Sequence, residues 1–141
     1  MKVLLDTNVI ISAVTTRGLC ADIFRTVLLH HELVTCSQVL REVRRILRAK
    51  FSVPEDAIAE YLALLQQDAI LAEPAALPKL SIKDKDDITI IAAALGGNAD
   101  LMVTGDTELQ QIRHISRLRI LSPRAFWEEL MAGQGDISDD R

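Results

Sequence analysis

Lys2-Val3-Leu4-Leu5-Asp6-Thr7-Asn8-Val9-Ile10-Ile11-Ser12-Ala13-Val14 is a short apolar run, a polar break and a second apolar run. The first run is too brief for a helix and ends on turn-forming residues, so it reads as a buried strand. Val9 to Val14 then reads as a helix. Strand, turn, helix is the opening of an α/β unit, and the alternation continues along the chain. Leu19 to His30 is a second helix, with Leu19, Ile23, Val27 and Leu28 on one side, and Glu32 to Cys36 is a strand. Ser37 is placed to cap a helix that runs to about Lys50. Ser52-Val53-Pro54-Glu55 joins a capping-box pattern to an early proline and starts a helix to about Gln67. Ala69 to Glu73 is a strand.

Pro74 to Asp86, with two prolines and a charge run, is expected to be a surface loop near the site. Asp87 opens an apolar helix that stops at Gly96-Gly97. Asp100 to Thr104 is a strand, Gly105-Asp106 turns into a short helix, and Arg119 to Leu121 is the last strand. Ser122-Pro123 starts a final helix with Phe126, Trp127, Leu130 and Met131 inward, and 133–141 is a polar tail expected to be disordered. Residues 1–132 then make one domain: a three-layer α/β/α sandwich around a central, mainly parallel sheet.

A chain of 141 residues suits one core. Hydrophobic residues at 49% and charged residues at 26% exclude disorder for most of the length. Asp6 follows the first apolar residues too soon for a signal peptide or a spanning helix, so no membrane partner and a cytoplasmic location are expected. Cys20 and Cys36 lack metal-ligand spacing and read as reduced packing residues. A net charge of -4 argues against a nonspecific nucleic-acid coat, and only 4% aromatics argues against a base-stacking platform. Any RNA contact would run mainly through phosphates, gathered by local basic residues.

Five acids, Asp6, Glu42, Asp87, Asp106 and Glu108, are distant in sequence, yet most fall where a strand ends or a helix begins. Ligands of parallel sheets collect at the carboxyl ends of strands, where Asp6 and Asp106 should both lie. Taken singly, Asp6, Asp106 and Glu108 read equally well as turn, cap or first-turn acids. On a helix of about 100° per residue, Glu42 sits at the edge of the stripe Val39, Leu40, Val43, Ile46, Leu47, where it either leans into a cleft or pairs with Arg45 at the surface. Asp87 lies within about 60° of the apolar direction of its helix and Asp86 points away. Asp87 is therefore assigned to the site, Asp86 to solvent, and Asp84 is a weaker candidate. Clustered carboxylates must bind protons or metal, and oxygen donors without histidine or cysteine select Mg2+ or Mn2+.

These residues resemble the PIN-domain ribonucleases that serve as toxins in prokaryotic toxin-antitoxin pairs. The resemblance rests on Leu5-Asp6-Thr7-Asn8-Val9, on Ser37 with Leu40-Arg41-Glu42-Val43, on Asp87 with Ile90 to Ala94, and on Val103-Thr104-Gly105-Asp106-Thr107-Glu108-Leu109. It implies that Asp6, Glu42, Asp87 and Asp106 bind Mg2+ or Mn2+ and support RNA hydrolysis, with Asn8 and Thr104 shaping the site. Glu108, where many members carry aspartate, would be a further ligand, directly or through water. It also implies a homodimer and a cognate antitoxin, for which apolar residues on the early helices and Ile58, Tyr61, Leu62 and Leu65 offer surface. Arg41, Arg44, Arg45 and Arg48 form a basic helix face for RNA phosphates or an acidic partner; Arg113, Arg117, Arg119 and Arg124 are a second basic stretch that reads as solvation. Alternatives are a metal-binding phosphohydrolase with Asp6 as nucleophile, weakened because Asn8 stands where a second carboxylate is usual, a response-regulator-like switch lacking its lysine, and a noncatalytic interaction module.

Overall fold

The structure, a computed structural model, describes residues 1–76 and 79–139. Among the described residues thirteen elements follow in order: β1 (Lys2–Leu5), α1 (Thr7–Thr15), α2 (Leu19–His30), β2 (Glu32–Thr35), α3 (Ser37–Phe51), α4 (Glu55–Gln67), β3 (Ile70–Leu71), α5 (Lys85–Gly96), β4 (Leu101–Val103), α6 (Thr107–Ile112), β5 (His114–Ile115), β6 (Leu118–Leu121) and α7 (Pro123–Asp139). The strands form a single sheet in the order β3-β2-β1-β4-β6-β5. All pairings are parallel except β5 with β6.

Steps from β1 to β2 and from β3 to β4 cross the sheet in opposite directions. Right-handed crossovers therefore put α1–α2 and α5 on opposite faces and give the three layers. The sheet interior is near-continuously apolar, as strands covered on both faces require: Val3, Leu4, Leu5, Leu101, Met102 and Val103 are all fully buried. The order reverses between β1 and β4, so their carboxyl ends flank the crevice where such folds bind ligands.

Several local expectations are corrected. Ser37 is the exposed first residue of α3 behind Cys36, which makes no side-chain cap. Ser52 does not start α4; it closes α3 in a left-handed conformation (φ 51°), and Pro54 precedes α4 without a side-chain cap. Ser122 does cap α7, accepting from Ala125 N at 3.0 Å. That helix spans Pro123–Asp139. Asp140 and Arg141, and Leu77 and Pro78 of the loop before α5, lie outside the described residues. No helix among the described residues is long and apolar enough to cross a membrane.

Gly96-Gly97 ends α5 for a reason the sequence did not show. Gly97 keeps a negative φ of -89°, and the left-handed residue is Asn98 (φ 55°), after which Ala99 N donates to Ala94 O at 2.9 Å. The glycines give clearance instead: a Cβ at Gly96 would stand 1.9 Å from Glu73 O, and one at Gly97 2.8 Å from Ala72 Cβ. Gly96→Ala should therefore destabilise the fold by about 1–3 kcal/mol through backbone displacement. Urea denaturation checks this, and an unchanged midpoint would refute the clearance account.

Of the surplus apolar residues, Ile58, Leu62 and Leu65 enter the core, while Tyr61 is half-buried with its ring stacked 6.5 Å from Phe24. The excess falls on Leu28, Leu29 and Leu64, all exposed; Leu28 and Leu64 join Phe24 and Tyr61 along a groove of about 300 Å³ between α2 and α4.

Candidate active site

Asp6 follows β1 and caps α1, and it is only 6% exposed. A buried carboxylate needs donors. Thr7 N donates to Oδ1 at 2.8 Å and the Thr104 hydroxyl donates to Oδ2 at 2.6 Å. Thr104 leaves β4 fully buried, held by its own N–H on Leu121 O (3.0 Å) and by Gln110 Nε2 on its carbonyl (2.7 Å). Its hydroxyl also accepts from Asp106 N at 3.1 Å, so one side chain couples the loops after β1 and β4. Asp106 caps α6 through Oδ1, which accepts from Glu108 N and Leu109 N.

Glu42 arrives from α3, half-buried, and meets the same corner. Thr7 Oγ1 donates to its Oε1 at 2.7 Å and Gln38 Nε2 to its Oε2 at 2.8 Å. Arg41 in turn donates to Gln38 Oε1 at 2.7 Å. The edge position read from the helix stripe is thus used inward, and Arg45 is not its partner. Asp87 sits half-buried in the first turn of α5, whose cap is Asp84 accepting from Asp86 N.

Electrostatics tie these acids together. Burial, then the charges of Asp6, Asp84, Asp106 and Glu42, push Asp87 up to about 7. Asp6 is also raised, first by burial; hydrogen bonds from Thr104 and Thr7 oppose the shift, and Glu42 and Asp106 add to it. Asp6, Asp106 and Glu42 thus all act on Asp87, and Glu42 and Asp106 act on Asp6. Asp84 joins them more closely than the sequence suggested.

Other candidates fare differently. Glu108 is exposed and lines a cavity of about 340 Å³ with Leu80, Ile82 and Gln111, and it is not among the charges that shift Asp6 or Asp87. Asn8 is exposed on α1 with no side-chain hydrogen bond among the described residues. Arg44 and Arg48 both pair with Glu55 at the start of α4, at 3.3 and 3.6 Å, so half of the basic face of α3 ties two helices together. Thr7, Gln38 and Gln110 were not singled out from sequence. Only Gln38, four residues before Glu42 on one helix face, carried a legible signal.

The donors suit a hard divalent cation in kind, being all oxygen and mutually repulsive. Among the described residues, however, no three acidic, histidine or cysteine side chains stand close enough together to hold an ion as placed.

The family model of the PIN domain matches residues 2–108, from β1 to the first turn of α6, a span that contains all four acids. Among solved structures, VapBC2 from Rickettsia felis bound to a DNA fragment from its promoter aligns at 16% identity and a TM-score of 0.61, covering 86% of this chain and 98% of that one. VapBC-1 from nontypeable Haemophilus influenzae aligns at 17% identity and a TM-score of 0.57, covering 88% and 99%. Likeness at such identity speaks for the fold. No curated protein matches the chain by sequence. Matched over residues 2–108, most of its length, this chain belongs to the PIN domain family.

Proposed function

We propose that this protein is a divalent-metal-dependent endoribonuclease that hydrolyses RNA phosphodiester bonds at the cluster of Asp6, Glu42, Asp87 and Asp106. The supporting observation is Asp87, pushed up to about 7 by burial and by the three other acids and Asp84. Such a group holds a proton until a cation relieves the repulsion. When bound, Mg2+ or Mn2+ supplies Lewis-acid polarisation and charge neutralisation at a phosphodiester.

The chain's own residues do the positioning. Thr7 N and the Thr104 hydroxyl fix Asp6, and Thr7 Oγ1 and Gln38 fix Glu42. Thr104 also anchors the backbone of Asp106. With Arg44 and Arg48 engaged by Glu55, Arg41 and Arg45 remain as phosphate contacts on α3. Without a cation the acids would repel the phosphate, which disfavours metal-free acid-base chemistry.

The reading extends to a cytoplasmic toxin with a cognate antitoxin; the two solved structures that share the fold are of VapBC2 and VapBC-1. The apolar groove between α2 and α4 would serve that partner or a homodimer. Loss of RNA cleavage in Asp6→Asn and Asp106→Asn, with folding retained, tests the assignment; chelator-resistant cleavage by the wild type would refute the metal dependence. Thr7→Val should lower activity about 10- to 100-fold, as loss of a group that orients a metal ligand does. Steady-state cleavage checks this, and full activity would mean that Glu42 needs no such support.

A further inference from the structure

Three residues of the second basic stretch, Arg113, Arg117 and Arg119, whose pattern in the sequence reads as solvation, gather around one cavity. Arg113, His114, Arg117 and Arg119 line a space of about 590 Å³ together with Gln110, Ser116, Leu121 and Ser122. No acidic side chain lines it among the described residues, in a chain whose net charge is -4. Arg119 is engaged by Glu129 of α7, but Arg113 and Arg117 make no ion pair among the described residues. Arg113 and Arg117, held together without a counter-anion among the described residues, raise the local potential and favour a polyanion.

Local geometry makes this a built feature. Arg113 closes α6 at φ 67° and Ser116 turns the β5–β6 hairpin at φ 53°. Arg113 is pinned at both ends, its N–H donating to Gln110 O at 3.2 Å and its carbonyl accepting from Ile120 N at 2.8 Å. Positive φ at a non-glycine residue costs free energy and persists only where surroundings impose it.

The cavity is also joined to the acid cluster. Gln110, in its wall, donates to the carbonyl of Thr104, and Leu121, also in its wall, accepts from Thr104 N. Thr104 is the residue that bridges Asp6 and Asp106. The cavity wall is therefore tied by two hydrogen bonds to the residue that links Asp6 and Asp106, and the cavity extends to the hairpin turn at Ser116 and Arg117.

We infer that this cavity is a phosphodiester subsite, where Arg113 and Arg117 hold backbone phosphates of a single strand whose neighbouring linkage lies at the acids. This rests on the ribonuclease reading for its substrate class, and it shifts the principal phosphate contacts from α3 to the β5–β6 hairpin. An acidic protein segment is the competing occupant. The strand is favoured because the cavity wall is hydrogen-bonded to Thr104, the residue that also binds Asp6 and Asp106 at the site proposed to act on phosphodiesters.

The test measures binding without turnover. Anisotropy of a labelled ten-nucleotide oligouridylate, in chelator, is followed against salt for the full chain, for Arg113→Gln/Arg117→Gln, and for Arg17→Gln/Arg25→Gln as a charge-matched control. Each phosphate contact on a single strand contributes about 0.7 to the log-log salt slope, so the hairpin variant should be shallower by about 1.4 and the control unchanged. Because Arg113 has a positive φ, Arg117→Glu alone serves as a second variant, with folding checked by circular dichroism. Equal slopes in wild type and hairpin variants, or an equal loss in the control, would overturn the subsite. So would displacement of the RNA by a glutamate decamer as effective as unlabelled RNA. If the wild type fails to cleave RNA with Mn2+ while the slope difference persists, the ribonuclease reading falls and the phosphate subsite stands. If it cleaves RNA while the slopes stay equal, the subsite falls and the ribonuclease reading stands.

Discussion

Asp87→Asn should lower RNA cleavage by about 10²- to 10³-fold and at the same time raise the melting temperature of the metal-free protein near pH 8. On the proposed metal-dependent reading, the activity loss would follow from removing one anionic donor of the ion, whose coordination is worth several kcal/mol, each 1.36 kcal/mol being about tenfold in rate. The stability gain follows from the raised carboxyl. A free aspartate titrates near 3.9, whereas Asp87 titrates at about 7 in the folded chain. The folded state thus holds a proton that the unfolded state has released, and stability falls as pH rises from about 4 through 7. Asparagine carries no charge at any pH and escapes that loss, although Asp87 is exposed enough for solvent to damp the gain to a few degrees. Melts in chelator at pH 4 and 8 should show the variant's advantage only at the higher pH. A variant that melts below the wild type at pH 8, or that cleaves as fast, would refute the role given to Asp87.

Mn2+ or Mg2+ should protect the wild type against heat far better at pH 8 than at pH 6. A donor that titrates at about 7 is ionised in roughly one molecule in eleven at pH 6 and in about ten of eleven at pH 8. Metal binding must displace that proton, so the apparent affinity should tighten about tenfold over the interval. Calorimetric titration in two buffers of different ionisation enthalpy would count the proton released. Asp87→Asn should flatten the pH dependence as well as weaken binding. A pH-independent affinity in the wild type would show that the acids are not held against one another as described, and absence of any binding at millimolar ion would end the metal assignment.

Sequence patterns carried furthest where one residue answers to one local rule. Alternating apolar runs and turn residues located β1, α1, α2, β2 and β4, because a strand buried on both faces has to be continuously apolar. Strand β5 escaped because it spans only His114–Ile115 and its turn, Ser116-Arg117, carries none of the glycine chemistry that marks tight hairpins. Capping at Ser37 and Ser52 was misjudged because a side-chain oxygen near a helix start is only one competitor for those N–H groups; the chain placed Cys36 and Pro54 there instead.

The chain order of Asp6, Glu42, Asp87 and Asp106, the places of Asp6, Asp87 and Asp106 at strand and helix ends, and that of Glu42 on the edge of an apolar helix stripe, were set by the amino-acid sequence. Which oxygen receives which hydrogen bond was decided only by folding: Thr104 bridging Asp6 and Asp106, Thr7 and Gln38 clasping Glu42, and Asp84 pressing on Asp87. Folding likewise turned Arg44 and Arg48 toward Glu55 and gathered Arg113 and Arg117 about a cavity. The division has a physical origin. Hydrophobic periodicity is a local property that any short window displays, whereas charge pairing and desolvation depend on distances between segments that only the closed sheet brings together.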